Sequence, residues 1–178
     1  MFMRTERLFL RPAWSEDAPA IARAIAAPEI VRNLARAPWP YGLAEAEQFV
    51  ALPQDRKAPH FLVQLPGEGV IGSAGFGRQG EDVEIGYWIA REHWGQGYAT
   101  EAARALIDLA RMIGHRRLVA GHFVDNPASG RVLHKAGFVP TGTVAMRHSL
   151  ARGEDAPLVE FACELEDQPA PFEWRRAA

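Results

Sequence analysis

At 178 residues, with 48% apolar and 24% charged side chains, the chain has the length and composition of one globular domain with a sizeable core, and is short for two. A net charge of -2, with arginines dispersed as pairs such as Arg116-Arg117 and Arg175-Arg176, supplies no basic field for nucleic acid. The single Cys163 excludes an intrachain disulfide, and no signal-peptide core and no run of about 18 apolar residues is read, so a cytoplasmic α/β protein without a membrane partner is expected.

Arg7 to Pro12 reads as a first strand closed by its proline. Ser15-Glu16-Asp17 supplies an N-cap hydroxyl and first-turn acids for a helix whose apolar positions Ala18, Ile21, Ala22 and Ile25 recur at helical spacing until Pro28. A short helix from Pro28 to Ala35 follows, then the Pro- and aromatic-rich loop Ala37 to Gly42, then a helix from Leu43 to Leu52. Strands are expected at His60 to Leu65, Val70 to Phe76 and Val83 to Ala90, joined by turns at Pro66 to Gly69 and Arg78 to Glu81. The glycines of the middle strand (Gly72, Gly75, Gly77) hint at close backbone approach.

That antiparallel meander is broken at Trp94-Gly95-Gln96-Gly97-Tyr98-Ala99-Thr100. A helix then runs to about Ile113, with Ala99, Ala102, Ala103, Leu106, Ala110 and Ile113 on one face. Two glycines ahead of a helix collect backbone N–H groups at the positive end of its dipole, where a phosphate or pyrophosphate is favoured. Leu118 to Val124 is the next strand, and a strand–helix–strand unit of this length implies a parallel, right-handed crossover. Asp125-Asn126-Pro127 opens a helix that ends at Gly137, and Phe138 to Leu150 and Pro157 to Leu165 are the last strands. One domain over residues 1–165 is expected, followed by a charged, Pro-rich tail (166–178) that Phe172 and Trp174 would dock.

The stretch Trp94 to Ala102 resembles the GNAT N-acetyltransferase superfamily, in particular its ribosomal-protein N-terminal (RimJ/RimL-like) branch. Asn126-Pro127-Ala128-Ser129-Gly130-Arg131-Val132-Leu133-His134-Lys135-Ala136-Gly137-Phe138, Glu84-Ile85-Gly86-Tyr87-Trp88 and the opening Thr5 to Arg11 are similar to segments of the same branch, in the same order. The resemblance implies a mixed, twisted seven-stranded α/β sheet with helices on both faces. Its fourth and fifth strands, here Val83–Ala90 and Leu118–Val124, would splay to admit acetyl-CoA. It further implies cofactor contacts from Trp88, Ile89, Gly95, Gln96, Gly97, Tyr98, Ala99 and Thr100, with Asn126 on the pantetheine and Ser129 near the sulfur. In the family's (Gln/Arg)-x-x-Gly-x-(Gly/Ala) motif, Gly97 and Ala99 fill the small positions and Trp94 stands where Gln or Arg is usual.

Acetyl transfer to an amine requires a neutral nucleophile, a donor for the developing oxyanion and a proton or hydrogen bond for the departing sulfur. The resemblance places a carboxylate at Glu84, the first candidate base, directly or through water; the competing reading is a strand-end carboxylate paired with an arginine. Ser129 would donate to the sulfur or hold a water that does. The tyrosine that many members use for this purpose falls at Leu133 here. Helix capping is the competing reading for both Asn126 and Ser129. His122 would orient an acceptor or simply pack, and Trp39 and Tyr41 would line the acceptor mouth or pack.

The other histidines show no metal-ligand spacing, and Cys163 has no neighbouring His signature, so direct transfer in a ternary complex is preferred to an acyl-cysteine. A dinucleotide-binding oxidoreductase is disfavoured because Thr100 stands at the third small position and Arg117 to Ala120 carries no ribose-binding acid. The rival within the same fold keeps acyl-CoA binding and has lost catalysis, a reading to which Trp94 and Leu133 lend themselves. The resemblance implies a protein N-terminal α-amine or a small-molecule amine as acceptor, and a monomer or homodimer is expected.

Overall fold

The computed structural model describes residues 1–165; the expected tail with Phe172 and Trp174 lies outside them. Eight strands form one mixed sheet: β1 (Met3–Arg4), β2 (Phe9–Arg11), β3 (His60–Leu65), β4 (Gly69–Gln79), β5 (Asp82–Ile89), β6 (Arg117–Phe123), β7 (Val139–Ser149) and β8 (Glu154–Glu164), in spatial order β1-β2-β3-β4-β5-β6-β8-β7. Five helices cover it: α1 (Ala18–Ile25), α2 (Pro28–Val31), α3 (Leu43–Val50), α4 (Tyr98–Met112) and α5 (Pro127–Ala136). The sheet has one strand more than the expected seven. The extra one arises because Thr5 N–H donates to the Leu8 carbonyl (3.0 Å), a tight turn that folds Met3 and Arg4 back onto Leu10 and Phe9.

Strand alternation sorts the side chains onto two faces. Phe61, Val63, Ile85, Ile89, Leu118 and Ala120 point to the face covered by α4 and α5, where they join Ala102, Ala103, Leu106, Leu109 and Leu133 in the main core. Leu62 and Trp88 point to the opposite face and pack with Ala18, Ile21 and Ala46 of α1 and α3. Ahead of α1, buried Arg11 places Nη1 and Nη2 on the Asp17 carboxylate (2.6 Å each) and Nε on Gln64, and Nη1 donates also to the Pro12 carbonyl. Burial pushes the Asp17 carboxyl up, but the Arg11 hydrogen bonds, the Trp14 amide and the guanidinium charge outweigh it, and its pKa lies below the ordinary value.

The helix expected from Pro28 to Ala35 stops at Val31. The ladder breaks locally: the Asn33 side chain takes the Glu29 carbonyl (2.8 Å), and the Asn33 and Leu34 amides turn to the carbonyls three residues back, Ile30 (3.0 Å) and Val31 (2.9 Å). The β7–β8 hairpin then holds the segment that follows, with Arg152 Nε donating to the Arg32 carbonyl (2.9 Å), Ser149 Oγ to Leu34 (3.3 Å) and the Leu150 amide to Ala35 (3.0 Å). The remaining sequence-predicted elements are present within a few residues of the expected bounds.

Candidate active site

β5 and β6 run parallel and are in register at Glu84↔Val119, near their first residues; among the described residues their ladder stops there. Beyond that point β5 stays bonded to β4 as far as Gly72↔Ile89, and β6 to β8 as far as Phe123↔Leu158. The two inner edges diverge and leave a wedge-shaped split. The Ala90 amide donates to Ile71 on β4 (2.8 Å), so by strand alternation the N–H and C=O groups of Tyr87 and Ile89 are directed into the split.

At the open end of the split, a single turn (Arg91–His93) leads to Gly95 and Gly97, and α4 begins. Both glycines have positive φ (76° and 85°), a conformation that a side chain would strain, and the space where a Gly95 Cβ would sit is empty. The first bond of α4 runs from the Glu101 amide to the Gly97 carbonyl (3.1 Å), so the amides of Tyr98, Ala99 and Thr100 have no acceptor within the helix, and among the described residues no side chain caps them. These donors and the dipole of a 15-residue helix form a cradle for an anionic group.

Two contacts fix the cradle. Trp94, the residue at odds with the family motif, donates its indole Nε1–H to the Ile89 carbonyl (2.6 Å), fastening the loop to the end of β5 while its ring remains half exposed. From the other side, Glu101 accepts from Thr5 Oγ1 (2.5 Å), the Arg7 amide (2.8 Å) and the Arg7 guanidinium (2.7 and 2.8 Å). Arg7 also lies over the Tyr98 ring at 4.5 Å and donates to the Gln96 carbonyl (3.0 Å). Burial raises the Glu101 pKa, but the donors from Thr5 and Arg7 prevail and hold it below the ordinary value.

Across the split, the Asn126 side chain caps α5 by accepting from the Ser129 amide (3.4 Å). Ser129 Oγ is 3.0 Å from the Tyr87 hydroxyl, which is also 3.3 Å from the Ser129 carbonyl. A phenol therefore reaches Ser129 from β5, whereas Leu133, at the position of the family's usual tyrosine, is fully buried in the core. Burial pushes the Tyr87 pKa up to about 12, against the lowering effect of the Ser129 hydrogen bond, so the phenol is neutral.

Glu84 lies at the root of the split on the opposite face, on the same side of β5 as Gly86 and Trp88. Its carboxylate meets Arg147 at 3.0 and 3.3 Å, and Arg147 also donates to Gln79 (2.6 Å); a cavity of about 90 Å³ adjoins them, lined also by Val119, Thr141 and Glu160. The arginine-paired arrangement is thus present. Trp39 is exposed, and Tyr41 packs with Trp88 on this face, its hydroxyl on the Glu45 carbonyl (3.3 Å); burial, then the Glu45 charge, pushes its pKa up to about 12. His122 is elsewhere: it points to the α5 side, where its ring packs on Phe161 and its Nδ1 lies 2.9 Å from the Phe123 carbonyl. Trp88 likewise turns its ring away from α4 and α5, and it is Tyr87 and Ile89 whose backbone groups are directed into the split. Cys163 is buried in the main core, and burial keeps its thiol pKa raised despite the Arg111 charge.

A family model described as "Acetyltransferase (GNAT) domain" matches residues 7–139. The chain belongs to this family. Over 157 residues it is 31% identical to a Bacillus subtilis protein named "Uncharacterized N-acetyltransferase YoaA", covering 80% of this chain and 85% of that one. Over 97 residues, about half of each chain, it is 37% identical to the ribosomal-protein-serine acetyltransferase of Escherichia coli. Among solved structures, RimL, a ribosomal L7/L12 α-N-protein acetyltransferase solved with coenzyme A, superposes with a TM-score of 0.79 at 22% identity, over 94% of this chain and 100% of that one. The protein is an N-acetyltransferase of the GNAT fold.

Sequence reasoning passed over Tyr87, Arg147 and the Thr5–Arg7–Glu101 clasp as functional partners. Tyr87 carried a signal, because it alternates with Ile85 and Ile89 on the core face, where a buried hydroxyl requires a partner. Arg147 carried none, since its meeting with Glu84 spans 63 residues.

Proposed function

We propose that the protein transfers the acetyl group of acetyl-CoA directly to a primary amine, with a protein N-terminal α-amine as the leading acceptor and a small-molecule amine as the alternative. The observation that carries this reading is the glycine-bounded start of α4 at the open end of the β5–β6 split. Bound there, acetyl-CoA supplies an activated acetyl group and a thiol leaving group. The amides around Gly95, Gln96, Gly97, Tyr98, Ala99 and Thr100 suit its diphosphate, and the Ile89 backbone and the Asn126 side chain suit the polar groups of its arm. The side chains described at this cradle leave the space above Gly95 open, so the residues fit the cofactor.

Ser129 donates a hydrogen bond at the end of the split to the departing sulfur. Glu84 accepts the amine proton, directly or through a water in the adjoining cavity; Arg147 takes up part of its acceptor capacity, and each carboxylate oxygen retains a further lone pair. An α-amine, with a pKa of about 8, asks less of this base than a lysine at about 10.4. The names of the ribosomal-protein acetyltransferases among its relatives support the α-amine.

Thiol release from acetyl-CoA, measured over a panel of N-terminal peptides and small amines, tests the proposal. Saturating turnover of a peptide α-amine is expected, lost on acetylating its N-terminus beforehand. Glu84→Gln should lower kcat/KM by roughly 10²-fold, and full activity of that variant removes Glu84 from the role. Gly97→Trp should abolish acetyl-CoA binding in calorimetry; undiminished affinity would place the cofactor elsewhere.

A further inference from the structure

The Tyr87 hydroxyl is the described side-chain polar group that spans the split, from β5 to the first turn of α5. We propose that Tyr87 is a positioning residue for Ser129: its phenol hydrogen-bonds the serine so that the serine's own hydrogen is free to point at the departing sulfur. The inference rests on the reading of Ser129 given above and adds the device that aims it.

Two arrangements of the same atoms are compatible with the distances. In the first, Ser129 Oγ–H donates to Tyr87 (3.0 Å) while Tyr87 O–H donates to the Ser129 carbonyl (3.3 Å), and both hydrogens are spent within the pair. In the second, Tyr87 O–H donates to Ser129 Oγ, and the serine hydrogen turns outward into the split. Moving between them breaks no covalent bond; two hydroxyl rotors turn. The second arrangement is favoured as negative charge builds on an acceptor in front of Ser129, because the chain Tyr87 → Ser129 → acceptor polarises in one direction. The stabilisation is therefore greater in the transition state than in the ground state, the condition for raising kcat. The phenol keeps its proton throughout, as burial favours the neutral form.

Without the phenol, a serine in the first turn of a helix has a local alternative. Ser129 can bond back to a main-chain carbonyl three or four residues earlier, and the Asn126 carbonyl already lies 3.2 Å from its amide. That places its hydrogen away from the split. Tyr87→Phe removes a single oxygen and keeps the ring that packs into the main core, so the fold is retained.

The test uses wild type, Tyr87→Phe, Ser129→Ala and the double variant, each with bound coenzyme A. The pKa of the bound thiol, read from thiolate absorbance in the ultraviolet, reports the donor at the sulfur without an acceptor amine. Ser129→Ala should weaken thiol ionisation by about tenfold and Tyr87→Phe by about threefold, as expected for the loss and the misorientation of one donor. In the Ser129→Ala background, Tyr87→Phe should change nothing further. In turnover, Tyr87→Phe should lower kcat by about two- to threefold with the KM for acetyl-CoA unchanged. If Ser129→Ala shifts the thiol and Tyr87→Phe leaves it at the wild-type value, the positioning role is overturned and the role of Ser129 stands. If Tyr87→Phe shifts it equally in both backgrounds, Tyr87 acts without Ser129 and the inference fails. If Ser129→Ala itself leaves the thiol unchanged, the reading of Ser129 fails, and the inference with it.

Discussion

Glu101→Gln is the sharpest test of how the proposed diphosphate cradle is held. The native carboxylate collects donors from Thr5 Oγ1, the Arg7 amide and the Arg7 guanidinium, at 2.5 to 2.8 Å. Glutamine keeps the shape and one acceptor oxygen, but it turns an NH₂ group toward a donor that had an oxygen. Hydrogen bonds to charged groups contribute about 1.5–3 kcal/mol each. Glu101 is 15% exposed and Arg7 41%, so the ion-pair share is discounted for solvent screening. The net loss is about 2 kcal/mol, the effect of one charge-assisted bond, and for a chain of this length it lowers Tm by roughly 4–8 °C.

The pH dependence gives the same prediction a second handle. The folded-state pKa of Glu101 lies below the ordinary value of 4.5, so its contribution is fully present above that value and is lost as pH falls through the folded value. Thermal melts of wild type and Glu101→Gln should therefore differ at neutral pH, keep that difference down to about pH 5 and converge in stronger acid. Other carboxylates titrate in both proteins and cancel in the difference. Because Arg7 also holds the Gln96 carbonyl, acetyl-CoA affinity measured by calorimetry should fall several-fold in the same variant. Equal melting temperatures at neutral pH, or a gap that persists undiminished in acid, would refute the clasp as a stabilising carboxylate site.

Two glycines on adjacent strands should respond oppositely to one methyl group. A Cβ at Gly72 would sit 2.2 Å from the Trp88 carbonyl oxygen, a backbone atom, so Gly72→Ala should cost about 3 kcal/mol, whereas the position of a Gly86 Cβ is clear to 4 Å and Gly86→Ala should leave Tm unchanged or slightly raised. Chemical denaturation of both variants checks this, and a neutral Gly72→Ala would mean that β4 and β5 can move apart freely. Asp17→Asn removes the carboxylate partner of an Arg11 that is 5% exposed and should destabilise by about 3–5 kcal/mol, measured by the same unfolding curves. Trp94→Phe deletes the donor to the Ile89 carbonyl and should cost about 1 kcal/mol while weakening acetyl-CoA binding by a few-fold; retention of both properties would deny Trp94 its part in ordering the loop.

Most of the fold was legible in the sequence because the signals that set it are local. Apolar spacing, Pro127 at a helix start and Gly114 and Gly137 at helix ends act within a few residues, and α4 and α5 fall within a residue or two of where those signals put them. The cradle was legible for the same reason, since positive φ at Gly95 and Gly97 is a property of the main chain there. The C-terminal end of α2 was only partly legible: Asn33 carries a local signal, since its side chain takes the Glu29 carbonyl, but the groups that hold the following carbonyls of Arg32, Leu34 and Ala35 belong to Ser149, Leu150 and Arg152, more than a hundred residues away.

The same distinction explains why the reading of Trp94 needed the structure. In a motif, a residue is compared with what usually stands at its position, and tryptophan there looks like the loss of a phosphate ligand. In space, the relevant neighbour is the last residue of β5, five positions back, whose carbonyl faces the split because Ala90 has turned its own amide to β4. A strand edge that parts from its neighbour leaves its polar groups unpaired, and one of them lies where the Gly95–Gly97 loop returns. The indole N–H satisfies that carbonyl and joins loop to strand in one contact, something a charged side chain extended toward a phosphate would not do. At the position where the family motif has Gln or Arg, this chain thus has a fastening of the backbone. On the proposed function, cofactor binding would then rest on the main-chain amides of Gly95 to Thr100, with Thr5, Arg7 and Glu101 clasping the start of α4.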